Sequence, residues 1–323
     1  MSFTLLFPGQ GSQSPGMGHW LYEQFKEARR VFEEGSEALH FDLKKLIFEG
    51  SEADLALTEN TQPALLCVST ATQRVLHQEL GLRVHAAAGH SIGEYAALVA
   101  AGVIPYFEAI KAVRARGQAM QSAVPVGQGG MVAVLGLDDE QIAWLCRHVT
   151  HTSGEGPLSP ANFNSPGQVV ISGSQKAIDW LKVNFKADEI PGSPRRAKLI
   201  PLSVSAPFHC EMMKPAEDKM REVLSSLTFL PPAFPICQNF TARLEVEPSV
   251  LRENLIRQVS APVLWTQSML HLKEKGWAQA VESGHGSVLK GLLKKIDGEF
   301  FQVHGMTSIE DLKLLESHVK SNP

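Results

Sequence analysis

The stretch VHAAAGHSIGEYAALVAAG, residues 84–102, decides the fold. VHAAAGH (84–90) is an apolar run of strand length, GHSIG (89–93) matches G-x-S-x-G, and IGEYAALVAAG (92–102) reads as a helix that stops at Gly102. Strand, tight turn and helix in that order form the context a nucleophile elbow requires. The two glycines would let the chain turn sharply and let strand and helix pack closely. Ser91 would then be pushed out at the C-terminal edge of a sheet, with the Ile92 N–H facing the site from a helix N-terminus. A serine on an ordinary βα turn fits the same five letters, and the flanking strand and helix favour the elbow.

Outward from that turn, the first 120 residues alternate in texture. FTLLF (3–7) reads as a buried strand, 20–39 carries apolar residues at helical spacing, and QPALLCVSTATQRVLHQEL (62–80) predicts a long helix with Pro63 near its first turn. Another helix is expected from Pro105 to about Gln121. Such alternation predicts a parallel sheet with helices on both faces. The texture changes at VPVGQGG (124–130). GMVAVLGL (130–137) is a strand, DDEQIAWLCRHV (138–149) a helix capped by Asp138, and SPGQVVISG (165–173) a turn and strand. SQKAIDWLKVNF (174–185) is a second helix, AKLIPLSVS (197–205) a further strand, and an extra strand is expected around 161–164. That succession suits a small ferredoxin-like unit inserted into the larger domain, entered by glycines and left through EIPGSPRRAK (189–198). A helix over 213–227, the proline-rich FLPPAFPI (229–236) and a helical C-terminal third follow.

Composition narrows the classes. With 323 residues, 44% hydrophobic and 20% charged, the chain can bury a real core, so disordered and fibrous classes are excluded. A net charge of −4 disfavours wholesale nucleic-acid binding. MSFTLLFPGQ lacks a basic n-region and breaks at Pro8, and the longest apolar run, AALVAAGVI (96–104), is about half a membrane span. Cys67, Cys146, Cys210 and Cys237 are widely spaced, which reads as core thiols in a reducing compartment. A cytoplasmic protein without membrane contact, metal or bound cofactor is expected.

A serine nucleophile needs a base. His209, in VSAPFHC (204–210), follows a strand and a proline, at the kind of strand end where open α/β sheets gather their catalytic groups. His40, His77, His148, His151 and His318 fall on polar faces or loops, and His90 is expected to point away from Ser91. The loop PGQGSQSPGMG (8–18) fails both nucleotide fingerprints: Ser14 stands where G-x-G-x-x-G needs its third glycine, and no G-x₄-G-K-[ST] occurs. A glycine-flanked strand-end loop is still an anion cradle, so the Gln10 and Ile92 main-chain N–H groups are expected to form an oxyanion hole. Arg116 lies near the same sheet edge, and its fork suits a carboxylate, so the acyl group is expected to carry one.

FPGQGSQ (7–13), NTQPAL (60–65), GHSIGEYAAL (89–98), RGQAMQ (116–121), ANFNSPGQVVISG (161–173), VSAPFH (204–209) and APVLW (261–265) occur in this order from residue 3 to about 296. The series resembles the malonyl-CoA:acyl carrier protein transacylases of fatty-acid synthesis and the acyltransferase domains of polyketide synthases. The resemblance implies an α/β fold: an α/β-hydrolase-like core with a parallel sheet (1–124 and 199–323) plus an inserted ferredoxin-like subdomain (125–198). It implies Ser91 as nucleophile, His209 as general base, Gln10 and Ile92 as oxyanion donors, and Arg116 on a malonyl carboxylate. Gln62 and Asn162 are implied near the acyl group, and Gln258 as the residue whose main-chain carbonyl orients His209. Phe208 resembles the malonyl-selecting form of its motif. The substrate implied is malonyl-CoA, the partner an acyl carrier protein, the oligomeric state a monomer. Lys290, Lys294 and Lys295, and Arg195, Arg196 and Lys198, are candidates for carrier docking, and both clusters read equally as solvated faces. His285 stands where the family commonly has proline. A polyketide-type trans-acting acyltransferase, a serine thioesterase or esterase, a Ser–Asp lipase and a non-catalytic carrier-binding subunit are the alternatives.

Overall fold

Strand β1 (Phe3–Phe7) is buried along its whole length because it lies between two parallel neighbours, β2 (Val84–Gly89) and β9 (Gln279–Glu282). A computed structural model of the protein describes residues 2–192, 194, 197–202, 204 and 206–322. β7 (Ile236–Gln238) extends the sheet beyond β2, β8 (Arg243–Glu245) pairs with β7 antiparallel, and β10 (Gln302–His304) flanks β9. The resulting order is β10-β9-β1-β2-β7-β8. Alternate residues of the central strands serve opposite faces, as the pleat demands. Phe3, Leu5, Phe7 and Ala87 join one core and Leu6, Ala86 and Ala88 the other. A strand covered on both sides needs an unbroken apolar run, and FTLLF is one.

Helices cover both faces. α1 (His19–Gln24), α2 (Lys26–Leu39), α3 (Leu43–Glu49), α4 (Glu52–Ala56), α5 (Thr58–Leu80), α6 (Gly93–Ala100) and α7 (Tyr106–Ser122) all give buried side chains to the larger core. The single helix expected over 20–39 is two: Phe25 is extended, and its ring lies edge-on to Trp20 at 6.0 Å. The helix expected from residue 62 begins at Thr58, so Pro63 lies inside it. Proline has no N–H to give the carbonyl four residues back. Arg114 Nη1 donates to that carbonyl, Glu59 O, at 2.8 Å instead.

The second sheet holds β3 (Gly129–Leu135), β4 (Leu158–Ser165), β5 (Gln168–Ser174) and β6 (Lys198–Pro201) in the antiparallel order β4-β5-β3-β6. With α8 (Asp139–Ser153) and α9 (Gln175–Asn184) the succession is β-α-β-β-α-β, the ferredoxin-like one. Asp138 and Gln141 close a reciprocal capping box on α8. β4 is the extra strand expected around 161–164, whereas the strand expected over 197–205 is confined to β6. One face of this sheet (Val132, Val134, Val169, Ile171) packs under α8 and α9, and the other (Met131, Ala161, Val170) turns to the larger core. β4 is also tied to the main body: Phe163 N–H donates to Val263 O at 2.9 Å and Val263 N–H to Ala161 O at 2.8 Å.

The C-terminal third is less helical than expected. α10 (Lys214–Ser225), α11 (Pro248–Arg257), α12 (Trp265–Glu274), α13 (Val288–Asp297) and α14 (Ile309–Ser321) are there, and β7–β10 run between them. Strands of three or four residues are too short to show a period, and their burial is conferred by neighbours. No described helix is long and apolar enough to cross a membrane.

Candidate active site

β2 ends at Gly89 and α6 begins at Gly93, and the turn between them is tight enough to exclude side chains. A Cβ on Gly89 would lie 1.9 Å from the Gly93 carbonyl carbon, and one on Gly93 would lie 2.2 Å from Phe7 O. Ser91 sits at φ +51°. For a residue with a side chain that conformation costs about 1–2 kcal/mol, and it persists only where the surroundings hold it. Asn239, just after β7, does so: its Oδ1 accepts the Ser91 N–H at 2.7 Å and its Nδ2 donates to Gly89 O at 2.7 Å.

The Ser91 hydroxyl lies 2.8 Å from His209 Nε2. His209 Nδ1 lies 2.9 Å from Gln258 O, an acceptor only, so Nδ1 bears the proton and Nε2 is free to take one from Ser91. Burial, the Arg116 charge and His90 together push the imidazole down to about 3, against the Gln258 hydrogen bond. It is therefore neutral around pH 7, the state a base must start from. No aspartate or glutamate hydrogen-bonds the imidazole among the described residues.

Arg116 is 1% exposed. Its Nη1 donates to Gln62 Oε1 at 3.0 Å, and its Nη2 to Gln258 Oε1 at 2.9 Å and to Ser91 Oγ at 3.2 Å. Its Nε is buried without a partner. Each acceptor is neutral, so among the described residues the guanidinium touches no anion of its own. A buried charge held this way invites one. Gln10, Gln62, Ser91, Ile92, Arg116, Asn162, Phe208 and His209 all line one cavity of about 170 Å³. Among the described residues, neither the Gln10 nor the Ile92 main-chain N–H donates a hydrogen bond. The residues that carry these two unused donors line the same cavity as Ser91 and His209, and a hydroxyl, an imidazole and two amides are the groups that acyl transfer uses.

His90 is a correction. The expectation has it facing away, yet His90 is among the residues lining the cavity and its Nε2 meets Oδ1 of Asn164, another lining residue, at 2.8 Å. The strand ends at Gly89, and the left-handed turn that follows breaks the two-residue alternation on which the expectation rested. His285 also finds a place: its Nε2 lies 2.8 Å from Ser14 Oγ, and Gly284, at φ +152°, abuts Pro8 where a Cβ would come within 2.7 Å of the ring. The loop after β9 therefore clasps the loop that holds Gln10. Lys290, Lys294 and Lys295 are exposed on α13, while Arg195 and Arg196 lie outside the described residues.

Sequence reasoning missed the polar shell under the elbow. Glu94, Gln238, Asn239 and Asn254 are all buried and joined to Gln258 or to one another. Only Glu94 left a sign, as a carboxylate inside an otherwise apolar helix.

An acyl transferase domain model matches residues 4–309. A malonyl CoA-acyl carrier protein transacylase of Salmonella typhimurium is 44% identical over 91% of this chain and 92% of its own length. A solved acyl carrier protein S-malonyltransferase from Vibrio cholerae is 42% identical, with a TM-score of 0.90 over 98% of this chain and 100% of that one. A solved complex of a type II polyketide-synthase acyl-carrier protein with its malonyl-transacylase superposes with a TM-score of 0.91 at 40% identity, over 98% of this chain and 100% of that one.

Proposed function

The chain belongs to the acyl transferase domain family, and from that premise we propose that it moves a malonyl group from malonyl-CoA to the phosphopantetheine thiol of an acyl carrier protein in fatty-acid synthesis. Ser91 Oγ attacks the thioester carbonyl while His209 Nε2 takes its proton. The Gln10 and Ile92 amides receive the oxyanion, and each such donor is worth about 3–4 kcal/mol of transition-state stabilisation. The C–S bond breaks, CoA leaves as a thiol with the proton from His209, and malonyl stays on Ser91 as an ester. The carrier thiol then attacks that ester, giving its proton to His209, which returns it to Ser91.

The observation that carries this reading is Arg116, buried, without an anion of its own and 3.2 Å from Ser91 Oγ. Its place fits an acyl group that ends in a free carboxylate. Gln62 holds the far side of the guanidinium, while Asn162 and Phe208 close the cavity, Phe208 against an α-methyl group. In this reading residues 1–124 and 199–323 form the acyltransferase core and 125–198 the subdomain that roofs it. The exposed lysines Lys290, Lys294 and Lys295 receive the acidic carrier. The reaction needs no bound cofactor and belongs in the cytoplasm. Incubation with malonyl-CoA and a holo carrier protein tests it: malonyl-carrier should accumulate, and free malonate without malonyl-carrier would make the protein a thioesterase.

A further inference from the structure

We propose that Glu94 is a positioning residue for this transfer: through the side-chain amide of Gln258 it fixes where Arg116 and His209 stand against Ser91. The proposal rests on the malonyl-transfer reading. Glu94 is fully buried in the first turn of α6, three residues after Ser91, and takes no part in the steps above. Its Oε1 accepts from Gln238 Nε2 at 3.0 Å, and its Oε2 accepts from the Asn239 N–H at 2.8 Å and from Gln258 Nε2 at 3.0 Å. Those three contacts are all donors, a surrounding that suits an ionised carboxylate. Burial pushes the Glu94 carboxyl up, and those three donors and the Arg116 charge oppose it.

Gln258 follows the last turn of α11 and faces two ways. Its Nε2 is taken by Glu94 Oε2 and by Ser91 O at 3.0 Å, and its Oε1 accepts from Arg116 Nη2 at 2.9 Å. An amide has its donor and acceptor on opposite sides. Anchoring the NH₂ on a carboxylate therefore commits the oxygen to the guanidinium. The flipped amide would set NH₂ against guanidinium and oxygen against carboxylate, two repulsions at once. The main-chain oxygen of the same residue holds His209 Nδ1. One side chain, locked by Glu94, thus serves both the residue that grips the acyl group and the residue that moves the proton. The carboxylate lies beyond the Gln258 amide and makes no contact with Arg116, which leaves the guanidinium face toward Ser91 open for a substrate anion. Removing the Glu94 charge should therefore not weaken malonyl binding.

The test uses Glu94→Gln, nearly isosteric but presenting a donor to donors, and Gln258→Met, which deletes the amide and keeps the main-chain carbonyl. Single-turnover acylation of Ser91 is followed by intact mass across malonyl-CoA concentrations, with rates normalised to the fraction of enzyme finally acylated. Each variant should acylate ~10- to 100-fold more slowly at saturation, the scale on which a misplaced group is felt, with a half-saturating malonyl-CoA concentration no higher than wild type. The double variant should lie within about 3-fold of Gln258→Met, because residues in one network do not act additively. An unchanged normalised rate in either single variant overturns the proposal, as do losses that multiply in the double. Should Glu94→Gln fail to fold, Glu94→Asp, which keeps the charge but draws it back from Gln258 Nε2, takes its place with the same expected loss, and an unchanged normalised rate there overturns the proposal. Wild-type enzyme that never acylates overturns the malonyl-transfer reading instead.

Discussion

The two walls of the cavity are built on different terms. The wall on the side of the parallel sheet offers Gln10, Gln62, Ser91 and Arg116, the last three joined by hydrogen bonds from the Arg116 guanidinium beside a strained turn. The facing wall, from the antiparallel sheet and residues 202 and 204, offers mostly bulk in Met131, Val170, Leu202 and Val204, with Asn162 and Asn164 its polar groups, while His209 beyond it reaches back to Ser91 and Gln258 and belongs with the first. Polar groups in a dry site are costly to misplace, whereas apolar lining responds to volume. The first wall should therefore govern whether chemistry happens, and the second which acyl group undergoes it.

The hardest blow to the first wall is Ser91→Ala. Malonylation seen by intact mass should vanish and turnover should fall by roughly 10⁶-fold, the loss a serine nucleophile typically shows. Persistent labelling at another residue would remove the elbow from the mechanism. Arg116→Ala comes next. Loss of a charge-assisted pair costs about 1.5–3 kcal/mol, so kcat/KM for malonyl-CoA should fall about 10- to 150-fold while acetyl-CoA loses far less. Equal losses for both thioesters would deny Arg116 its carboxylate.

On the opposite wall, Val170→Ala removes two methyl groups beside the cavity. The methylmalonyl-to-malonyl ratio of kcat/KM should rise by a factor on the order of 10, with the malonyl rate little changed. A collapse of the malonyl rate would mean that both walls do chemistry and would erase the contrast. The smallest effect concerns pH. Because His209 is held near 3, acylation should stay flat within about twofold from pH 8 to pH 5, where a free imidazole would lose most of its activity. Stability behaves differently. The folded imidazole resists a proton that the unfolded chain accepts near 6.5, so this contribution is present above that pH and is lost as pH falls towards 3. At pH 5 urea unfolding should show about 2 kcal/mol less stability from this group than at pH 7.5. A rate that halves near pH 6.5 would place the proton acceptor elsewhere.

The lysines proposed to receive the carrier were legible only as charge. Lys290, Lys294 and Lys295 are exposed on α13, whose N-terminus follows the loop that clasps residues 8–18, so their position relative to the cavity came from the fold. Short strands also escaped the sequence. ICQ, QAVE and QVH acquire strand character from the sheet they join, and no local pattern announces them.

What the sequence determined by itself was local: a strand, two glycines and a helix around Ser91, a capped helix at Asp138, and the apolar run of β1, each set by backbone sterics or by burial over a few residues. Even His209 could be chosen without a partner in view, although the strand it was expected to follow stops at Pro201 and belongs to the antiparallel sheet. The tertiary structure alone decided that Glu94, Gln238, Asn239 and Gln258, up to 164 residues apart, meet beneath that turn. Buried polar groups take their roles from whichever donors and acceptors the fold brings within about 3 Å, and a one-dimensional pattern holds no such distances.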